Sequence, residues 1–101
     1  MTSMISFRAR VEEWSTKLRV RPRQIRVQVM TQKWASCSTQ GRITFSRDLV
    51  KQSEEFQIYV IAHELLHLRI RNHGKLFSAT LGAYLRGNQW LGANVRLRER
   101  P

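Results

Sequence analysis

The sequence contains a single cysteine, Cys37, among its 101 residues. One thiol cannot form an intramolecular disulfide, and it cannot supply the several cysteines of a cysteine-based zinc site. Any metal ion bound by this chain must therefore be held by histidine or carboxylate side chains.

The sequence also lacks an apolar run of about 18 residues, the length that a transmembrane helix needs. Its first residues, MTSMISFRARVEEW, contain no apolar segment that could form the core of a signal peptide. We therefore expect a cytoplasmic protein with no membrane association. Because there is no repeat and the chain is short, one domain spanning residues 1–101 is expected.

Acidic residues are scarce, with seven Asp and Glu against eighteen Lys and Arg, which gives a formal charge of +11. This excess favours polyanionic partners, and the basic residues are densest in RVRPRQIR (residues 19–26) and RLRER (residues 96–100). No recognised nucleic-acid-binding motif accompanies the charge. A solvated basic surface and non-specific contact with nucleic acid both remain open interpretations.

The spacing of apolar residues predicts an α+β fold. Residues 5–18 carry the stripe of an amphipathic helix, with Ser3 or Ser6 as its cap. Alternation of apolar and polar residues predicts a strand over residues 25–30 and another over residues 42–46. We expect the two strands to pair as a short antiparallel β-hairpin, joined through KWASCSTQ.

A longer helical pattern follows Ser53, which is predicted to be its N-cap, and continues through FQIYVIAHELLHLRI. The pattern is apolar nearly all round, so this helix should be the buried centre of the domain. Asn72 and Gly74 are predicted to end it. A C-terminal helix is predicted over residues 75–86.

The central helix carries the segment HELLHLRIRNH, residues 63–73, which contains all three histidines of the chain. His63 and His67 are four residues apart, which on a helix places them about 40° apart around the axis and about 6 Å apart along it. Two imidazoles at this spacing can bind one zinc ion. Glu64 is about 100° around from His63, outside the ligand set but close enough to act as general base toward a zinc-activated water.

A catalytic zinc ion normally has three protein ligands, and the third must come from outside this pair. Downstream of His67 the only candidates are His73 and Glu99. His73 is favoured, because Glu99 lies in the terminal RLRER run. His73 can reach the metal only if the chain turns at about residues 71–72, where asparagine tolerates the left-handed conformation that ends helices.

A structural interpretation competes with the metal site, since a single histidine on a buried helix is commonly a core residue. The His-Glu-x-x-His pattern, however, arises by chance in roughly one chain in several hundred of this length. An acid buried in an apolar helix is also costly, and a metal cleft gives Glu64 a function. The sequence therefore predicts a Zn²⁺-dependent hydrolase.

Two blocks resemble the YgjP-like metallopeptidase family, which belongs with the SprT-like and WLM zincins. KWASCSTQGRITFS (residues 33–46) is similar to the family's Trp-Gly-Ser-Cys block, and YVIAHELLHLRIRNHGKLF (residues 59–77) follows its histidine pattern. Ala35 replaces a glycine that is usual in the family, and the chain is identified as a minimal-length member. Two other classes of zinc protease are excluded. A metzincin has glycine at the position of Ile70, and a gluzincin has a carboxylate ligand on a following helix, whereas residues 75–90 contain no Asp or Glu.

The resemblance implies a small zincin-like domain that hydrolyses peptide bonds. It implies that His63, His67 and His73 bind zinc and that Glu64 is the base. The expected partner is a peptide or protein substrate, and SprT-like relatives that act on DNA-associated proteins make such proteins a candidate substrate class. The alternative is a basic nucleic-acid-binding module whose zinc site is structural or vestigial.

Overall fold

The computed structural model describes residues 2–91 and has an α+β fold, as predicted. The elements in chain order are α1 (Met4–Leu18), β1 (Gln24–Gln28), β2 (Ala35–Cys37), β3 (Arg42–Ser46), a 3₁₀ helix (Arg47–Lys51), α2 (Glu54–Leu66) and α3 (Lys75–Tyr84). The core lies between the sheet and the two longer helices.

The N-terminal helix α1 begins at the predicted cap. The Ser3 hydroxyl accepts a hydrogen bond from the Ser6 amide at 3.1 Å, which satisfies one of the donors left open at a helix N-terminus. The helix buries four apolar residues at the predicted spacing: Phe7, Val11, Trp14 and Leu18. The Phe7 ring meets Phe45 of β3 edge to face, with centroids 5.4 Å apart, so this face packs on the sheet.

The predicted pairing of residues 25–30 with residues 42–46 as an antiparallel hairpin is wrong. Strand β1 pairs parallel with β3, and the antiparallel partner of β3 is β2, so the order of the sheet is β1-β3-β2. Parallel neighbours need a connection of about a dozen residues, and residues 29–41 provide one. The additional strand β2 lies inside this connection.

The sequence pattern missed β2 because its three residues are fewer than the four to eight over which an alternation of apolar and polar side chains identifies a strand. The same pattern extended β1 too far. The predicted strand over residues 25–30 places Val29 on its apolar face, but β1 ends at Gln28 and Val29 is 72% exposed.

The central helix α2 begins as predicted and ends early. The Ser53 hydroxyl accepts from the Phe56 amide at 3.2 Å, which confirms the N-cap. The helix buries most of its side chains in the core. It was predicted to continue through Ile70, but it ends at Leu66, and the amides of His67 and Leu68 bond carbonyls three residues earlier. These tighter bonds close the helix with 3₁₀ geometry.

One buried polar side chain, Gln57, connects α1, α2 and the 3₁₀ helix. Its Nε2 donates to the carbonyl oxygens of Val50 and Gln52 at 3.2 and 3.0 Å, and its Oε1 accepts from Arg10 Nη1 at 2.6 Å. Gln57 is fully buried, so these bonds replace the water it loses on folding.

Candidate metal centre

The three histidines, far apart on an extended chain, come together at the end of α2. His63 lies in the last turn of the helix, and His67 is its C-terminal cap. Their ring centroids are 5.0 Å apart, as expected for side chains four residues apart on one face. The core of the domain thus supports two of the three imidazoles from behind.

His73 reaches the other two from the segment between α2 and α3. Its ring centroid is 4.9 Å from that of His63 and 4.4 Å from that of His67. One ligand nitrogen from each ring can be chosen so that all three lie within 4.8 Å of one another, close enough to hold one ion.

The chain bends at Asn72, within the predicted region, after a turn over residues 67–69 that follows the end of α2 at Leu66. The predicted left-handed conformation of Asn72 is wrong: within residues 2–91 the only non-glycine with positive φ is Arg19. Glu99, the other candidate ligand, lies outside the described residues.

A phenylalanine on α3, Phe77, packs against all three histidines. Its ring centroid is 5.2 Å from that of His63, 4.6 Å from His67 and 4.8 Å from His73. The contact with His67 is stacked, at an interplanar angle of 25°. The apolar spacing assigned Phe77 only to the core face of the last helix, so its place behind the imidazoles was not predicted.

The hydrogen bond made by His67 suits metal binding. Its Nδ1 lies 3.2 Å from the carbonyl oxygen of Ile70. Because a carbonyl only accepts, Nδ1 must carry the proton, and the lone pair of the neutral ring is then on Nε2. Histidine ligands of zinc are commonly oriented in this way by a carbonyl on the other nitrogen. Three imidazoles, one of them held in this tautomer, fit a zinc ion.

The carboxylate of Glu64 lies beside the histidine cluster. The residue has no exposed surface, and Oε1 is 3.9 Å from Nδ1 of His63. A fully buried carboxylate in an apolar helix is rare unless a positive group or a metal is near. The site therefore combines three nitrogen donors with one adjacent acid.

Tyr59 continues the same face of α2 one turn before His63, with ring centroids 6.0 Å apart. Burial raises the pKa of the Tyr59 hydroxyl, because the ionised phenolate would lose its hydration. The side chain is therefore a neutral phenol across the physiological pH range.

Comparison with known proteins agrees with this geometry. The YgjP-like metallopeptidase domain matches residues 3–99. The chain resembles the solved structure of the metallopeptidase zymogen jannalysin of Methanocaldococcus jannaschii, with 31% identity and a TM-score of 0.71, over 77% of this chain and 80% of that chain.

A second solved structure, the metallopeptidase zymogen abylysin of Pyrococcus abyssi, is 22% identical, with a TM-score of 0.66 over 75% of this chain and 76% of that chain, which supports the fold alone. No curated protein is significantly similar in sequence. Within residues 2–91 no helix is long and apolar enough to cross a membrane. The chain belongs to the YgjP-like metallopeptidase family and is a metallopeptidase with three histidines positioned to bind zinc.

Proposed function

We propose that this protein hydrolyses peptide bonds with a zinc ion held by His63, His67 and His73 and with Glu64 as general base. The observation that carries the proposal is the grouping of three imidazole nitrogens within 4.8 Å of one another, beside a buried carboxylate. A site that only stabilises the fold would not need that carboxylate.

The chemistry divides between the metal and Glu64. When bound, zinc lowers the pKa of water and polarises a carbonyl. Glu64 accepts the proton of the attacking water and then delivers it to the nitrogen of the departing amine. The burial of Glu64 keeps bulk water away from this proton transfer, and the helix holds the carboxylate at a set distance from His63.

The edge of β2 offers a place for an extended peptide. The Trp34 carbonyl accepts from the Ser46 amide and the Ser38 amide donates to the Arg42 carbonyl, each at 2.8 Å, so even-numbered residues of this segment bond β3. In an antiparallel pair the intervening residues then direct their backbone groups to the other edge. Ala35 is fully buried and Cys37 is half-buried, so an extended peptide would meet this edge at Cys37, which lines one pocket together with His67.

The substitution Glu64→Gln tests the role of this carboxylate. It keeps the size of the side chain and removes its basicity, so the variant should bind about one zinc ion per chain and lose at least about 100-fold in peptide cleavage. Zinc is measured by metal analysis of the purified protein and cleavage by incubation with a mixed peptide library.

Two variants serve as controls for this experiment. Glu55→Gln, in the first turn of the same helix, should cleave as wild type does, and His63→Ala should lose zinc and activity together. If Glu64→Gln cleaves as well as wild type while His63→Ala does not, Glu64 is not the base.

A second candidate activity is non-specific contact with nucleic acid, including action on DNA-associated proteins. The support is the formal charge of +11. DNA binding that weakens steeply as salt rises would favour it, because each phosphate contact releases counterions. Absence of binding at low salt would remove it.

A further inference from the structure

A cluster of arginine side chains lines a pocket next to the metal centre. The pocket has a volume of about 560 Å³, and its wall includes His67. Four arginines line it, and we call it the arginine pocket: Arg19, Arg21, Arg69 and Arg71.

The arginines come from two places in the chain. Arg19 and Arg21 follow the end of α1, Arg69 and Arg71 follow the end of α2, and the turn between β2 and β3, residues 38–41, closes the side. No Asp or Glu is among the lining residues that the structure describes, and none of the four arginines takes part in the ion pairs found within residues 2–91. Four like charges around one concavity repel each other, which an anion would relieve.

Two of the guanidinium groups are held in place by the backbone. Arg69 Nη1 donates to the carbonyl of Leu18 at 3.0 Å, and Arg71 Nη2 donates to the carbonyl of Thr39 at 3.4 Å. Each guanidinium has five N–H donors, so most of its donors remain available for a ligand. Side chains ordered before binding lose less entropy when a ligand arrives.

The position of Arg19 adds a separate observation. It has φ 57° and ψ 48°, the left-handed conformation in which helices usually place glycine. A non-glycine residue in this conformation carries a backbone cost, and residues with such a cost cluster at functional sites.

We propose that the arginine pocket binds the carboxylate of a substrate residue close to the scissile bond, so that the protein prefers acidic peptides. The inference rests on the proposed function and adds a substrate class to it. Arginine is suited to this role because its planar fork binds both oxygens of a carboxylate. The pocket shares Cys37 with β2 and His67 with the metal centre, so a peptide on the β2 edge could place a side chain in it.

The carboxylate could belong to a Glu or Asp side chain or to the C-terminus of the peptide. Both sources present the same group to the arginines. A pocket of about 560 Å³ beside the metal centre has room for a side chain or a chain end, whereas the extended backbone of a nucleic acid is usually bound along a groove.

Peptide binding to the zinc-loaded Glu64→Gln protein tests the proposal without hydrolysis. The probes are labelled ten-residue peptides of alanine and serine, in which one glutamate or one glutamine is moved through every position. One set is blocked at both ends and a second set has a free C-terminal carboxylate. Affinities are measured by fluorescence anisotropy at fixed ionic strength.

The proposal expects glutamate at one position to bind about tenfold more tightly than glutamine there, as for charge-assisted bonds to arginine. A preference in the blocked set assigns the pocket to a side chain. A preference for the free carboxylate alone assigns it to the C-terminus. In the background of Glu64→Gln, the double substitution Arg69→Gln with Arg71→Gln should reduce the preference to within about twofold.

The matched control is Arg47→Gln with Arg86→Gln, which removes the same charge from exposed positions outside the pocket. This control should keep the preference. Because Arg69 and Arg71 also hold backbone carbonyls, Arg19→Gly is the second pocket variant: it restores the residue favoured by the backbone and should weaken the preference at least about threefold while remaining folded.

Equal binding of glutamate and glutamine peptides would overturn the proposal. An equal loss of the glutamate preference in the control and pocket variants would also overturn it, because only the net charge of the protein would then matter. If duplex DNA displaces the labelled peptides and the peptides show no glutamate preference, the proposal is also overturned, and the pocket is then a nucleic-acid contact. If wild type cleaves neutral peptides and shows no acidic preference, this inference fails while the proposed function stands. If the preference is present but nothing is cleaved, the proposed function fails instead.

Discussion

Replacing Arg19 by glycine should make the protein more stable. Arg19 ends α1 in the arrangement where its own amide bonds the Thr16 carbonyl at 3.2 Å and the Val20 amide bonds the Ser15 carbonyl at 3.0 Å. This pair of bonds requires a left-handed conformation at Arg19, and its φ of 57° meets that requirement. Arginine adopts that conformation at a cost, whereas glycine does not.

The expected gain follows from two opposing effects. A left-handed backbone costs a non-glycine residue about 1–2 kcal/mol, and glycine loses about 0.5–1 kcal/mol more in chain entropy on folding. The net increase in the free energy of unfolding is therefore about 0.5–1 kcal/mol. For a domain of this size it corresponds to a rise in Tm of about 2–8 °C.

Thermal and urea unfolding of the zinc-free protein, followed by circular dichroism, measures this change. The control is Arg19→Gln, which removes the charge but keeps a side chain on the left-handed backbone, and it should unfold within about 0.5 kcal/mol of wild type. If Arg19→Gln stabilises as much as Arg19→Gly, the gain comes from relieving repulsion among the arginines. The backbone argument would then be refuted.

Two further substitutions test the support of the site and of the fold. Phe77→Ala should lower the free energy of unfolding by about 3–5 kcal/mol and weaken zinc binding, because the Phe77 ring contacts all three histidines. Phe77→Leu should retain more of the stability and more of the zinc affinity. Denaturant unfolding measures the stability, and competition with a zinc chelator measures the affinity. Gln57→Ala should lower the free energy of unfolding by about 2–4 kcal/mol, because it removes hydrogen bonds from two carbonyls and from Arg10. The control Gln24→Ala, at an exposed position, should leave the free energy of unfolding nearly unchanged. An equally small loss for Gln57→Ala would contradict the role given to its buried amide.

Local sequence signals predicted the helices well. The caps at Ser3 and Ser53 and the buried stripe of α1 follow from interactions between residues three or four positions apart, which the sequence displays directly. The end of α2 and the pairing of the strands were not predicted correctly. Both depend on partners distant in the chain: β3 pairs with β1 on one side and with β2 on the other only when the sheet assembles on the helices.

The candidate site shows the same division. The motif His63-Glu64-x-x-His67 predicted a metal-binding pair with an adjacent acid, because helical geometry alone relates these positions. His73 was named as the third ligand by elimination, and its role as a ligand stays a prediction. Its actual approach, through the turn over residues 67–69 and the bend at Asn72, depends on where α2 stops in the folded core.

What the sequence determined by itself is the chemistry: the donor atoms, their spacing on one helix, and the excess of arginine. What only the tertiary structure decided is which of these groups meet. Phe77 packs behind the imidazoles, and the arginines that follow α1 join those that follow α2 around one pocket. The physical reason is that helical spacing acts over a few residues, whereas contacts between distant segments form only when burial of the shared core brings their ends together.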